Sequence, residues 1–130
     1  MAEAFDFSGL WHSAYTYVNK SEPKGGVSEH DVKIYKTGNQ LVMQSVPNEE
    51  GSYLVIRVTQ DDNILTGTWQ EQSSPTGNYK GQTYYGAVQF LVEKDGHIRG
   101  KSVLFNQEME IITSDWELTR ISSSDDSSAS

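Results

Sequence analysis

The chain contains no cysteine. It can build neither a disulfide framework nor a thiolate metal site. Basic residues are also scarce, ten Lys and Arg against eighteen Asp and Glu, for a formal net charge of −8. That balance opposes nucleic-acid phosphate and anionic membrane surfaces. No stretch approaches the roughly 20 consecutive apolar residues of a membrane-spanning helix. The start, "MAEAFDF", has no basic region and no apolar run, so it does not read as a signal peptide. A cysteine-free chain without such a signal reads as cytoplasmic, and the Asn19-Lys20-Ser21 glycosylation pattern is then accidental. The motifs of common enzymes are missing too. There is no nucleophile elbow, P-loop or dinucleotide-binding glycine pattern. His12, His30 and His97 fall on separate strands or turns with no metal-ligand spacing, so neither a metal nor a cofactor is expected.

Helical periodicity is absent over any useful window. What remains is short apolar-polar alternation punctuated by turn residues. The 130 residues suit one domain. Strands are predicted over 9–18, 29–36, 40–46, 52–60, 64–72, 83–93, 97–105 and 108–121. Thr37-Gly38-Asn39, Asp61-Asp62-Asn63 and Lys94-Asp95-Gly96 read as tight hairpin turns, because Gly and Asn accept the positive φ they need. Residues 19–28, 47–51 and 71–82 are longer connections. Residues 1–6 are expected to be loose, and the polar, acidic stretch 122–130 to be disordered. Eight strands with this spacing imply an all-β, closed antiparallel up-and-down barrel. A weak repeat, Asn63–Trp69 against Gly96–Ser102, sets a glycine inside each of two strands. Such glycines mark strong bending or close approach of another group.

Period 2 assigns the faces. Arg99 and Lys101 outside turn Ile98, Gly100, Ser102 and Leu104 inward. By the repeat, Leu65, Gly67, Trp69 and Glu71 also point in. Asp115, Glu117 and Thr119 outside leave Ile112, Ser114, Trp116, Leu118 and Arg120 inside. Trp11 carries Ser13, Tyr15 and Tyr17 with it. His12, sharing a face with Leu10 and Ala14, points outward. The interior is then aromatic and interrupted by Ser, Gly and Glu. A packed core prefers aliphatic residues, so this composition suits a ligand cavity. The alternative is that the tyrosines fill the barrel, each hydroxyl meeting a rim carbonyl.

Gly9-x-Trp11 in the first strand and Arg120 in the closing "WELTR" resemble the calycins, the superfamily of lipocalins, avidins and fatty-acid-binding proteins. That resemblance implies a first-strand tryptophan plugging the closed end and a basic residue from the last strand packed over it. Gly9, Trp11 and Arg120 would be structural. The segment "LTGTWQEQSSPTGNYKGQTYYGAVQF" and the later "DWELTR" resemble the C-terminal β-domain of some bacterial helix-turn-helix regulators. This second resemblance implies a stand-alone sensory domain, because the chain carries no helix-turn-helix of its own.

The expected function is non-enzymatic binding of a small, partly apolar, ring-containing molecule in the barrel. Tyr15, Tyr17, Trp69, Tyr84 and Trp116 would supply walls, and Ser102 and Ser114 polar anchors. Tyr84 and Tyr85 face opposite sides, so one of them lines the cavity. Parity places Glu71 and Glu110 inward near the mouth, where either can orient a ligand donor or act as an acid or base. Glutamate is rarely buried, so solvated rim positions are the preferred reading for both. Two rivals stay open: an enzyme using the barrel as a reaction chamber, and an interaction module with a filled barrel. The sequence does not set the oligomeric state.

Overall fold

The computed structural model describes residues 6–17, 26–47, 51–72, 83–93, 96–105 and 109–122, of which Tyr17, Gly26 and Ser122 by backbone only. Its strands are β1 (Gly9–Tyr17), β2 (Gly26–Thr37), β3 (Gln40–Ser45), β4 (Tyr53–Asp61), β5 (Ile64–Gln72), β6 (Thr83–Val92), β7 (Ile98–Phe105) and β8 (Ile111–Ser122). Each pairs antiparallel with the next, and β8 returns to pair with β1, closing the barrel. This is the up-and-down architecture that the alternation implies. Of the expected loose residues at the start all but Asp6, with most of the Ser/Asp-rich stretch and most of the long connections, lie outside the described residues.

Two strand starts differ from expectation by more than one residue. β2 begins at Gly26, earlier than its alternation suggested, because it continues along β1 as far as Tyr17. β8 begins at Ile111 because Met109 has φ 64, which interrupts the extended backbone. In the hairpins, Gly38 takes φ 67 as expected, while in the next turn Asp62, not Asn63, carries the positive φ. A short polar side chain makes that conformation tolerable.

Side chains alternate as predicted. Ile98, Leu65, Leu118, Leu41, Val58 and Phe90 fill the end of the barrel nearest the tight turns. Fully burying each stabilises the fold by about 1.5–3 kcal/mol. Trp11 seals that end. Its indole N–H donates to the Phe7 carbonyl at 2.8 Å, and the Arg120 guanidinium carbon lies 4.7 Å from the ring centroid. The two residues are direct partners across the β1–β8 pairing. Arg120 also donates to the Asp6 carbonyl, so the cation–π contact is held from both sides. Gly9 opens β1 at φ 118, a conformation that residues with a Cβ rarely adopt.

The repeat also has its physical reason. A Cβ on Gly67 would lie 1.9 Å from the Arg57 carbonyl oxygen, and one on Gly100 would lie 1.9 Å from that of Gln89. At both points the neighbouring strand bends onto the glycine.

Several buried polar groups inside the barrel are paired. The Trp116 indole N–H donates to Ser13 Oγ at 2.8 Å. Ser102 and Ser114 hydrogen-bond to each other, directly opposite across β7 and β8. Ser45 Oγ accepts the Leu54 N–H at 2.9 Å.

Candidate functional site

Above the Trp11 seal lies a layer of rings. Tyr15 sits 4.6 Å from Trp116 and 5.4 Å from Trp69 between ring centroids, and Trp69 and Trp116 meet edge-on at 5.2 Å. Phe90 supports Trp116 from below at 5.8 Å. These distances are those of aromatic contact. Tyr15 therefore occupies the space above Trp11. Trp69 lies against Gly86, whose missing side chain makes room for the indole. The Trp69 Nε1 is buried with no hydrogen-bond partner, which costs about 1–3 kcal/mol.

On this layer, toward the long connections, sits a polar cluster. Glu71 is only 7% exposed. β5 lies four strands from β1 in the eight-strand ring, so Glu71 reaches across the lumen. Tyr15 donates its hydroxyl to Glu71 Oε1. Ser28 Oγ donates to Oε2 at 2.9 Å. His30 Nε2 lies 3.5 Å from Oε2 and 3.0 Å from Ser52 Oγ. Tyr15 and Ser28 are direct partners across β1 and β2. One carboxylate thus ties one wall of the barrel to the other.

The expectation for the two glutamates is corrected in opposite directions. Glu71 is not a rim residue in water, because two hydroxyls and an imidazole replace its hydration. Glu110 is not inward. It precedes β8, follows the turn at Met109 and is exposed, so strand parity does not apply to it. Trp69, Trp116, Tyr15, Ser102 and Ser114 face inward and are buried. Tyr84 packs on the core and Tyr85 faces out. Ser102 and Ser114 serve one another. The side chain of Tyr17 lies outside the described residues.

Sequence reasoning missed His30, Ser28 and Ser52. The signal was present in "SEHDVKI". Glu29, Asp31 and Lys33 on the outer face place Ser28, His30, Val32 and Ile34 inside.

On the outer surface His12 lies between Asp31, 3.1 Å from Nδ1, and Glu29, 3.0 Å from Nε2. The carboxylates sit on opposite ring nitrogens and do not converge on a shared point. Among the described residues no group of three such side chains is arranged to hold a metal ion. Hydrogen bonding to Asp31, then to Glu29, raises the His12 pKa above its ordinary 6.5. A raised histidine value means that this stabilisation is whole below the ordinary pKa. It is lost as pH rises through the folded one. His12→Gln should therefore lower Tm more at about pH 6 than at about pH 8.5, measured by thermal denaturation. The site is half-exposed, so the difference should be small. Equal losses at both pH values would show that His12 is not charged there.

No protein-family model matches the chain, and no curated protein matches it.

Proposed function

We propose that the barrel binds a small, ring-bearing molecule at its mouth, without catalysis. The guest rests on the Tyr15–Trp69–Trp116 layer and directs a hydrogen-bond donor at Glu71. The observation that carries this reading is the burial of Glu71 across the lumen directly above that layer. An ionised carboxylate can accept about four hydrogen bonds. Tyr15 and Ser28 use two, with His30 at 3.5 Å, which leaves capacity for a guest. The unpaired Trp69 N–H in the same layer is a cost that ordinary packing avoids. The Trp11–Arg120 contact supports placing the barrel beside the calycins, whose members enclose ligands. The likeness to a regulator β-domain suits a sensory role.

Tryptophan fluorescence tests the reading. Ring-bearing amines, amides and alcohols should shift the emission saturably, and matched hydrocarbons and ethers should not. Glu71→Gln, which keeps the shape but loses the charge, should weaken binding by about tenfold. If no compound moves the emission, the barrel is not a receptor for this class. The burial of Glu71 beside His30 also favours a second reading, in which Glu71 is an acid or base. In that case Glu71→Gln abolishes turnover while affinity stays nearly intact.

A further inference from the structure

The outer face of β4–β7 holds a groove of about 480 Å³, a volume within the range of small-molecule sites. It lies on the opposite side of the sheet from the lumen. Strand pairing shows how it forms. Arg57, Thr68, Ala87 and Val103 are successive partners across the four strands, and all four are exposed on the outer face. The two middle side chains are small, so a trough runs across the strands between Arg57 and Val103. Tyr85, 61% exposed, and Phe105, 50% exposed, stand in the neighbouring row and line its side.

Among the described residues of the lining, Arg57 alone is charged. The other cations facing out from these strands are paired, Arg99 with Glu93 at 3.1 Å and Lys101 with Asp115 at 2.7 Å. Arg57 has no carboxylate partner among the described residues. The outward positions of β4 to β7 carry a single carboxylate, Asp61. It stands four residues further along β4, about 13 Å away at about 3.3 Å per residue. In a chain with eighteen Asp and Glu, one arginine is thus left without a counter-charge at the end of an apolar trough. The complement of that surface is an anion with an apolar body.

We infer that this groove is a second binding site, for a flat aromatic carboxylate. The guanidinium fork matches both carboxylate oxygens. Thr68, the direct partner of Arg57, adds a hydroxyl donor beside it. The rings lie over Ala87, against Tyr85 and Val103. Two strand spacings of about 4.8 Å separate Arg57 from Ala87, so a carboxylate on two fused rings fits the trough. The mouth has the opposite chemistry. Glu71 accepts hydrogen bonds from its guest and repels a carboxylate, so the two sites separate by charge and the groove does not depend on the mouth.

The probe is 2-naphthoate, with its methyl ester as the uncharged control. Trp69 borders the groove as well as the lumen, so backbone amide shifts in two-dimensional NMR locate binding where tryptophan emission would not. Titration should move the amides of Thr68, Ala87 and Val103 saturably, with a Kd below about 1 mM, and leave those of Tyr15, Ser28 and His30 in place. The ester should bind about tenfold more weakly or worse. Arg57→Gln should weaken naphthoate binding by about tenfold and leave the ester unaffected. Arg57→Lys, which keeps the charge without the fork, should fall between. Tyr85→Ala should weaken both compounds. Lys101→Gln, which removes a charge from the same side of the barrel, should change neither. Equal affinity for acid and ester overturns the inference. So does the absence of a saturable groove shift up to about 5 mM, a shift confined to the mouth, or an equal loss in Arg57→Gln and Lys101→Gln.

Discussion

Trp116→Ala should destabilise the barrel by about 3–5 kcal/mol. Trp116 is fully buried, touches Tyr15, Trp69 and Phe90, and ties its N–H to Ser13. Truncation leaves a void bounded by three rings and an unmet Ser13 hydroxyl at the middle of the interior. The rigid, closed ladder around it cannot collapse inward, which places the cost at the high end of the range. Denaturant unfolding should show a lower midpoint, and Tm should fall by about 10–20 °C. Because such a cavity is apolar, added indole should occupy it and recover part of the loss. A loss below about 1 kcal/mol would mean that the aromatic layer is not packed. Tyr85→Ala, which removes a ring of similar size from the outer face, should change stability by no more than about 0.5 kcal/mol.

Gly67→Ala and Gly100→Ala should each cost about 3 kcal/mol or more. The added methyl meets a backbone carbonyl of the adjoining strand at 1.9 Å in both cases. A flexible side chain can step aside, but a carbonyl can retreat only by opening the β4–β5 or β6–β7 ladder. Gly38→Ala is the contrast, because open space surrounds it and only its φ of 67 opposes a side chain. That penalty is about 1 kcal/mol. The order of the three midpoints checks the assignment. If Gly38→Ala proves the most damaging, the close approaches at Gly67 and Gly100 are wrong.

The turn residues and the alternation made the strand order and the faces legible in the sequence, and the resemblance to the calycins implied the Trp11–Arg120 closure. They depend on local chemistry that one sequence displays. The mouth was less legible. Glu71 looked like a rim residue because sequence offers no view of donors arriving from β1 and β2, strands more than forty positions away. Glu110 was misplaced because parity assumes unbroken extended backbone, and Met109 breaks it. Val42 and Val55 point outward yet are buried. Tyr35, Gln44 and Tyr53 form a hydrogen-bonded chain across the same outer face. That chain depends on neighbours on three successive strands, which no single alternating segment reveals.

The way the barrel closes has a kinetic consequence. Seven of its eight seams join strands adjacent along the chain, each a local hairpin that pays little loop-closure entropy. The eighth joins β1 to β8. It gathers the Trp11–Arg120 contact, the Trp116–Ser13 bond and the Asp115 N–H to Thr16 Oγ1 bond, which bridge roughly 100 residues. The contacts that join the two ends of the chain are thus concentrated in one line. A curved seven-seam sheet can assemble by successive hairpins, and the tryptophan seal forms only when that last line zips. The residues that close the floor are therefore the ones that turn an open sheet into a barrel.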